Sequence, residues 1–199
     1  MSEITIVPLQ PDEIDEAADL LSKAFINTPF TGKIMGGNTE KHRKQLKMGF
    51  KTTLEKKPGT KIAAKDREKM VGVMHMVKWP DCQNSIPRGL EMLPALIVAR
   101  GPILRLKKAR KVWGIHDFKK PHWHIDPIGV LPERQGQCIG KKLMEYYCKQ
   151  VDSQNMPAYH ETDQPQNVRF YEKFGYKVVE TEPIFGITNW FLWREPVHG

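Results

Sequence analysis

The stretch from Ile128 to Met144 reads IGVLPERQGQCIGKKLM, and it decides the fold. It begins at the end of a strand-like run, HWHIDPIGV at 122–130, continues through a glycine-containing turn and enters a helix-like run at 138–151. The next run, PAYHE at 157–161, again has strand character. A strand, a helix and a strand in this order form a βαβ unit, whose two strands are parallel neighbours. The sequence therefore predicts an α/β protein with a parallel strand pair.

Apolar periodicity and turn residues predict the elements outside this unit. They are a strand over 3–8, a helix over 11–25, a loop over 31–39, a helix over 39–55, a hairpin of 61–65 and 70–79, a short helix between Pro165 and Gly175, and two terminal strands. Within the 138–151 helix, a core-facing stripe recurs every four residues at Ile139, Leu143, Tyr147 and Val151.

Residues 80–120 are predicted to form a helical insertion. They contain four prolines, a helix-like run LEMLPALIVA at 90–99 and a basic amphipathic run ILRLKKARKVW at 103–113. A membrane-surface helix is one interpretation of the basic run, but a solvated lid helix with one packed face suits its length better.

Length and composition indicate one globular domain, because 199 residues suffice for a single proper core. The acidic N-terminal residues and the absence of a long apolar run favour a cytoplasmic protein without a membrane span. The three cysteines, Cys82, Cys138 and Cys148, show no CxxC or histidine-rich spacing. We therefore expect free thiols, with neither disulfides nor a metal site.

The net charge of +8 is compatible with nucleic acid, an anionic membrane or a phosphate-rich cofactor. The basic residues are spread over 41–57, 105–111 and 134–149, and no basic-aromatic RNA-binding module occurs. A nucleic-acid binder is therefore an alternative hypothesis that we do not expect to hold.

The turn at 135–140 is a candidate anion site. Unpaired N–H groups and the positive end of a helix dipole converge where a strand turns into a helix. Arg134, Lys141 and Lys142 add positive charge there. The nucleotide patterns GxGxxG and GxxxxGK[ST] are absent, so another phosphate-bearing ligand such as coenzyme A is indicated.

Two segments resemble the signatures of the GNAT acetyltransferases. IGVLPERQGQCIGKKLM resembles the family's pyrophosphate-binding segment, and 161–180, ETDQPQNVRFYEKFGYKVVE, resembles its second signature through Asn167, Phe170-Tyr171 and Gly175-Tyr176. Within the family, the chain looks like the puromycin N-acetyltransferase type. The resemblance implies a mixed, mostly antiparallel sheet of six or seven strands that is splayed at the parallel pair, and acetyl coenzyme A as the acetyl donor.

The resemblance also implies the cofactor-binding residues. The pantetheine arm would pair with backbone at Ile128, Gly129 and Val130, and the pyrophosphate would bind Gln135, Gly136, Gln137, Cys138, Ile139, Gly140 and Lys141. Asn167, Phe170, Tyr171 and Lys173 would complete the site. Cys138 stands where the family usually has a glycine, a change that costs little if its φ is negative.

The chemistry of acetyl transfer assigns candidate catalytic residues. A phenol can donate a proton to the leaving thiolate, so Tyr171 is the candidate general acid. A protonated amine needs a base, and His124 and Asp126 lie with His122 on one face of a strand. Glu161 could bind a cationic acceptor, as could His124. The alternative is a polar face satisfied by ordinary hydrogen bonds.

The sequence thus predicts an N-acetyltransferase in which the amine attacks acetyl coenzyme A directly, with no acyl-enzyme and no metal. The acceptor would be a small-molecule or peptide amine, and the protein a monomer or homodimer. A sensor that binds acyl coenzyme A without transferring the acyl group is the second hypothesis. His75 and His116 are expected to be structural or exposed.

Overall fold

A computed structural model describes residues 3–83 and 100–197, except for the side chain of residue 100. The strands are β1 (Ile4–Pro8), β2 (Thr60–Asp66), β3 (Lys69–Lys78), β4 (Trp123–Val130), β5 (Ala158–Thr162), β6 (Lys177–Ile184) and β7 (Ile187–Arg194). The helices of the described ranges are α1 (Ile14–Phe25), α2 (Pro29–Met35), α3 (Glu40–Lys56), α4 (Arg100–His116), α5 (Ile139–Ser153) and α6 (Pro165–Glu172). The bounds agree with most of the predicted elements.

The strands form one open seven-stranded sheet in the order β1-β2-β3-β4-β5-β7-β6. Every neighbouring pair is antiparallel except β4 with β5. That parallel pair is in register only at Trp123 with Ala158 and at His124 with Tyr159, after which the two strands diverge. The predicted mixed sheet, splayed at its parallel pair, is confirmed.

Helices α1 and α5 cover opposite faces of the sheet centre. A Cβ built on Gly129 of β4 would lie 2.8 Å from Leu21 of α1, whereas one built on Gly72 of β3 would lie 3.0 Å from Ile139 of α5. Gly129 is the cross-strand partner of Val73, the neighbour of Gly72, so these two glycines face opposite sides. The predicted stripe on α5 is confirmed, since all four of its residues are buried.

Helix α2 corrects the loop predicted over 31–39. The Thr28 side chain accepts a hydrogen bond from the Thr31 N–H at 3.3 Å, Pro29 opens the helix, and Gly36 ends it with a φ of +82°. These are standard helix start and stop signals. The loop prediction was wrong over 31–35, because the glycines inside this short segment outweighed the Thr-Pro start, and it was right over 36–39.

The described part of the insertion is helix α4, and the predicted helix-like run at 90–99 lies outside the described residues. One face of α4 packs on α2 and on the β6–β7 hairpin through Ala109 and the partly buried Trp113. The Trp113 indole N–H donates to Asn189 of β7 at 3.2 Å. The other face is solvated, with Leu104 and Ile115 exposed. The one-sided packing predicted for this helix is therefore confirmed.

No helix within the described ranges is long and apolar enough to span a bilayer.

Candidate active site

The gap between β4 and β5 is the centre of the site. Beyond His124, the edge of β4 that faces β5 has no strand partner in the described chain, although its other edge remains paired with β3. The ring of His160 bridges the start of the gap, with its Nδ1 3.2 Å from the Ile125 carbonyl oxygen. The open edge therefore runs along Asp126 to Val130 toward the glycine-containing turn.

The turn that follows β4 presents a row of backbone donors. Within the described residues, the N–H groups of 136–141 have no hydrogen-bond partner, and the first helical bond of α5 runs from Lys142 N to Cys138 O at 3.1 Å. Gly136 has a φ of +75°, and a Cβ built there meets nothing within 4 Å. Such a cluster of free N–H groups at a helix N-terminus is suited to binding phosphate.

Cys138 differs from the expectation stated for it. Its φ is +61°, in the left-handed region, where the sequence reasoning had required a negative value for the cysteine to be tolerated. A residue with a Cβ pays about 1–2 kcal/mol in this conformation, whereas glycine pays nothing comparable. The residue is therefore strained at a position that favours glycine, although its backbone N–H still belongs to the row of free donors.

The cations near the turn all have partners within the chain. The Arg134 guanidinium bonds Asp66 at 2.6 Å and Gln137 at 2.8 Å. Lys142 donates to the Ile4 carbonyl at 3.0 Å, and Lys141 lies 3.6 Å from Glu145. The positive charge expected around the turn is present, but Arg134 is paired with Asp66, so the backbone N–H groups are the donors best placed to meet an anion.

Helix α6 brings the second signature against the first. A Cβ built on Gly140 would lie 3.6 Å from the Phe170 ring, so Phe170 packs on the first turn of α5. The Asn167 amide donates to the Thr162 hydroxyl at 3.3 Å and thereby fixes the start of α6 to the end of β5. Lys173 is exposed at the end of the helix.

Tyr171 lies at the gap beside His160. The two rings are 4.6 Å apart between centroids, and Tyr171 is only 3% exposed. Within the described residues, no hydrogen-bond partner is found for its hydroxyl. Burial, together with the charge of Glu161, raises the pKa of Tyr171 above its ordinary value. The phenol therefore keeps its proton at neutral pH, as a proton donor must.

Glu161 and His124 form a pair across the last point of strand contact. The Nε2 atom of His124 lies 2.9 Å from a carboxylate oxygen of Glu161. Burial opposes the charged form of the imidazole, but the Glu161 carboxylate outweighs it and holds the pKa of His124 well above its usual value. The second nitrogen of His124, Nδ1, is buried. His124 therefore holds Glu161 in place, and the carboxylate is the partly accessible group, with a side chain 19% exposed.

Asp126 is bound to a lysine that the sequence analysis did not single out. Its carboxylate forms a short ion pair with the Lys57 ammonium, which also donates to the Cys82 carbonyl at 3.3 Å. Burial raises the pKa of Asp126, but the charges of Lys57 and His124 outweigh it and hold the pKa below its usual range. Arg110 of α4 lies close enough for its charge to interact with Asp126. This carboxylate faces the site with two cations beside it.

Lys57 and His160 are the residues that sequence reasoning missed. Lys57 was counted only among the basic residues of 41–57, and its contact with Asp126 spans 69 residues of sequence. His160 alternates with Tyr159 and Glu161 on β5, which places it on the opposite face of the strand. Burial lowers the pKa of His160 to about 4, so the ring is neutral and can donate to Ile125. Strand alternation could have predicted its direction but not its partner.

The two histidines set aside in the sequence are structural. The ring nitrogens of His75 lie 2.8 Å from the Asp126 carbonyl and 2.9 Å from the Pro58 carbonyl. His116 at the end of α4 pairs with Glu180, at 2.8 Å, and with Glu182 of β6. Its ring stacks on Phe191 with centroids 4.1 Å apart. These contacts fix the hairpin β2–β3 to β4 and the insertion helix to β6.

Comparison with known proteins agrees with this geometry. The sequence profile of the acetyltransferase (GNAT) family matches residues 23–176, more than half of the chain. The chain belongs to the GNAT family. Members of this family use acetyl coenzyme A, and one GNAT structure similar to this chain, from Brucella melitensis, is a complex with acetyl coenzyme A. That structure has a TM-score of 0.54 at 14% identity and covers 100% of this chain and 94% of its own.

Other GNAT-type structures cover almost the whole chain. A protein from Corynebacterium glutamicum described as histone acetyltransferase HPA2 and related acetyltransferase has a TM-score of 0.72 at 17% identity, covering 100% of this chain and 99% of its own. A mosquito arylalkylamine N-acetyltransferase like 5b has a TM-score of 0.61 at 13% identity, covering 97% and 100%. At these identities the likeness establishes the GNAT fold and leaves the acceptor open.

Proposed function

We propose that this GNAT protein transfers an acetyl group from acetyl coenzyme A to a primary amine by direct attack. One observation carries the proposal: the gap between β4 and β5 has free phosphate-binding N–H groups at one end and the Glu161–His124 pair at the other. Tyr171 lies beside His160, whose ring bridges the start of the gap. A long ligand with a phosphate-bearing end and a reactive end fits this arrangement.

The residues present suit acetyl coenzyme A. The unpaired edge of β4 from Ile128 to Val130 offers backbone groups to the amides of a pantetheine arm, and the N–H groups of 136–141 offer donors to a pyrophosphate. Bound acetyl coenzyme A supplies the acetyl group as an activated thioester. Asn167 and Phe170 support this site by fixing α6 against β5 and α5.

The polar face beside the gap suits a cationic acceptor. Glu161 carries a carboxylate that His124 orients through Nε2, and it attracts an ammonium group and takes its proton before attack. Asp126, paired with Lys57, adds a second acidic group to the same face. In this proposal His124 is a positioning residue rather than the base itself, because its Nε2 is bonded to Glu161 and its Nδ1 is buried.

Tyr171 is the proposed general acid. Its raised pKa keeps the hydroxyl protonated, and within the described residues that hydroxyl has no competing hydrogen-bond partner. The phenol can therefore donate to the departing thiolate, a contribution that general acids make at about 100-fold to 10,000-fold in rate.

Thermal unfolding with and without acetyl coenzyme A, followed by thiol release with a panel of amines, tests the proposal. The panel contains aminonucleosides, polyamines, arylalkylamines and peptides with a free N-terminus. Acetyl coenzyme A at 100 times its dissociation constant should stabilise the protein by about 2.7 kcal/mol. Stabilisation with amine-dependent thiol release supports transfer. Stabilisation with no release from any amine indicates a sensor, and no stabilisation at millimolar ligand overturns the proposal.

A further inference from the structure

Four buried side chains from three separate segments meet next to the polar face beside the gap between β4 and β5. Cys82 lies in the short turn after β3, Asp117 directly follows α4, and His122 and His124 lie at the start of β4. Each is less than 10% exposed. The two ends of the insertion therefore come together on the same strand.

Three of these side chains, Cys82, His122 and His124, lie close enough together to bind one ion. The Cys82 sulfur lies 3.6 Å from His122 Nε2, and the Asp117 Oδ1 atom lies 3.2 Å from the same nitrogen. The ligand atoms of Cys82, His122 and His124 all lie within 4.8 Å of one another. In a tetrahedral zinc site with bonds of about 2.0–2.3 Å, neighbouring ligand atoms are about 3.3–3.6 Å apart.

Two buried atoms at this cluster make no hydrogen bond among the described residues. Asp117 Oδ1 and His124 Nδ1 are both buried and make no hydrogen bond in the described chain. Asp117 Oδ1 lies 3.2 Å from His122 Nε2, which is close enough for an ion pair, but the two atoms are not aligned for a hydrogen bond. A buried, unbonded carboxylate oxygen and imidazole nitrogen each cost free energy. A zinc ion bound to His124 Nδ1 removes the cost at that nitrogen.

The outer contacts of the histidines leave suitable nitrogens free for a metal. His122 Nδ1 lies 2.8 Å from the Lys120 carbonyl, so Nε2 is left to face the cluster. His124 Nε2 is bonded to the Glu161 carboxylate, so Nδ1 is left to face the cluster. Metal-ligating histidines commonly donate their other N–H to a carbonyl or a carboxylate, which fixes the tautomer.

We propose that Cys82, His122 and His124 bind one zinc ion, with the Asp117 carboxylate lying beside His122. Thiolate and imidazole are ligand types that zinc takes in tetrahedral sites, and three protein ligands leave the fourth position to a water molecule. Binding replaces the proton of the Cys82 thiol with a sulfur–zinc bond and releases that proton. The ion ties the turn that begins the insertion to β4. This role goes beyond acetyl transfer.

Metal binding to the full-length protein tests the site directly. After removal of metal with a chelator, zinc should bind at one ion per chain and raise the midpoint of thermal unfolding. Cobalt, as a spectroscopic substitute, should give a thiolate-to-cobalt charge-transfer band. Cys82→Ser should abolish that band and weaken zinc binding by about 100-fold or more. Cys148→Ser, which changes a partly buried cysteine of α5, is the matched control and should change neither.

Several results would overturn the proposal. They are a wild-type protein that binds no zinc, a cobalt complex without the thiolate band, or equal zinc affinity in Cys82→Ser and wild type. If Cys82→Ser does not fold, His122→Gln takes its place and should weaken zinc binding while leaving the cobalt–thiolate band present. Stabilisation by acetyl coenzyme A is measured separately, so failure of the zinc site is distinct from failure of the acetyltransferase proposal.

Discussion

His124 Nε2 and Glu161 Oε2 are 2.9 Å apart, and their bond joins β4 to β5 at the point where the strands separate. The backbone pairing of the two strands ends at His124 with Tyr159, so this side-chain bond spans the opening of the gap. It fixes the position of one carboxylate oxygen relative to the unpaired edge of β4.

Replacing Glu161 tests the role of this carboxylate. Glu161→Gln keeps the size of the side chain but removes its charge and its capacity to take a proton. We expect kcat/KM for the amine to fall by about 100-fold, the lower range for loss of a general base. Stabilisation by acetyl coenzyme A should be unchanged. Glu68→Gln, at an exposed turn position, is the control and should have wild-type kinetics. Wild-type kinetics in Glu161→Gln would exclude Glu161 from the reaction.

Tyr171→Phe separates catalysis from packing. The variant keeps the ring against His160 and removes a hydroxyl for which the described residues offer no hydrogen-bond partner. We therefore expect little change in the free energy of unfolding and a loss of about 100-fold or more in kcat. Tyr176→Phe removes another buried phenol hydroxyl, on a ring 5.8 Å away, and should leave kcat near wild type. Equal losses of kcat in both variants would mean that the loss comes from disturbed packing and not from a missing proton donor.

The left-handed conformation of Cys138 predicts different effects of two small replacements. Cys138→Gly relieves the strain on the Cβ, whereas Cys138→Ala removes the thiol and keeps the strain. We expect the glycine variant to be more stable than the alanine variant by about 1 kcal/mol. Denaturant unfolding of the two variants measures this difference. Equal stabilities would mean that position 138 does not need a positive φ.

Asp152 provides a pH-dependent contribution to stability. It bonds the buried Arg194 guanidinium at 2.7 and 2.8 Å, and these bonds lower the pKa of Asp152. A lowered folded-state pKa gives stability that is present above the unfolded pKa of about 3.9 and is lost as pH falls through the folded value.

Asp152→Asn should therefore destabilise the protein by about 2 kcal/mol at pH 7, because it leaves the Arg194 charge buried without its partner. The difference from wild type should shrink as the pH is lowered below about 4. Urea unfolding of both proteins at several pH values measures this difference in the free energy of unfolding. Asp15→Asn, in an exposed pair with Lys47 and Lys51, is the control and should show little effect. A difference that persists unchanged at low pH would contradict the assignment.

Much of the fold follows from local pattern. The βαβ unit, the hairpin β2–β3 and the buried stripe of α5 all rest on spacings of two or four residues, which set the buried face of a strand or helix. Helix α2 was missed although Thr28, Pro29 and Gly36 carry its start and stop signals. A segment of seven residues is too short for apolar periodicity to identify, so its capping residues were the only available signal.

Neither the backbone conformation of Cys138 nor the partners of the turn cations could be read from the chain. The φ of +61° depends on how the turn packs between β4 and α5. Arg134 was expected to face a phosphate, yet Asp66, from the turn end of β2, pairs with it. Charged side chains are long and flexible, and which partner they take depends on distant segments that the fold brings near.

The sequence by itself determined the family, the order of most elements and the position of the glycine-containing turn, because these depend on residues that are close in the chain. The tertiary structure alone decided which side chains meet. Glu161 with His124, Lys57 with Asp126, and Cys82 with His122 each join residues 37 to 69 positions apart. No spacing rule predicts such contacts, because the sheet register and the closure of the insertion onto β4 bring these residues together.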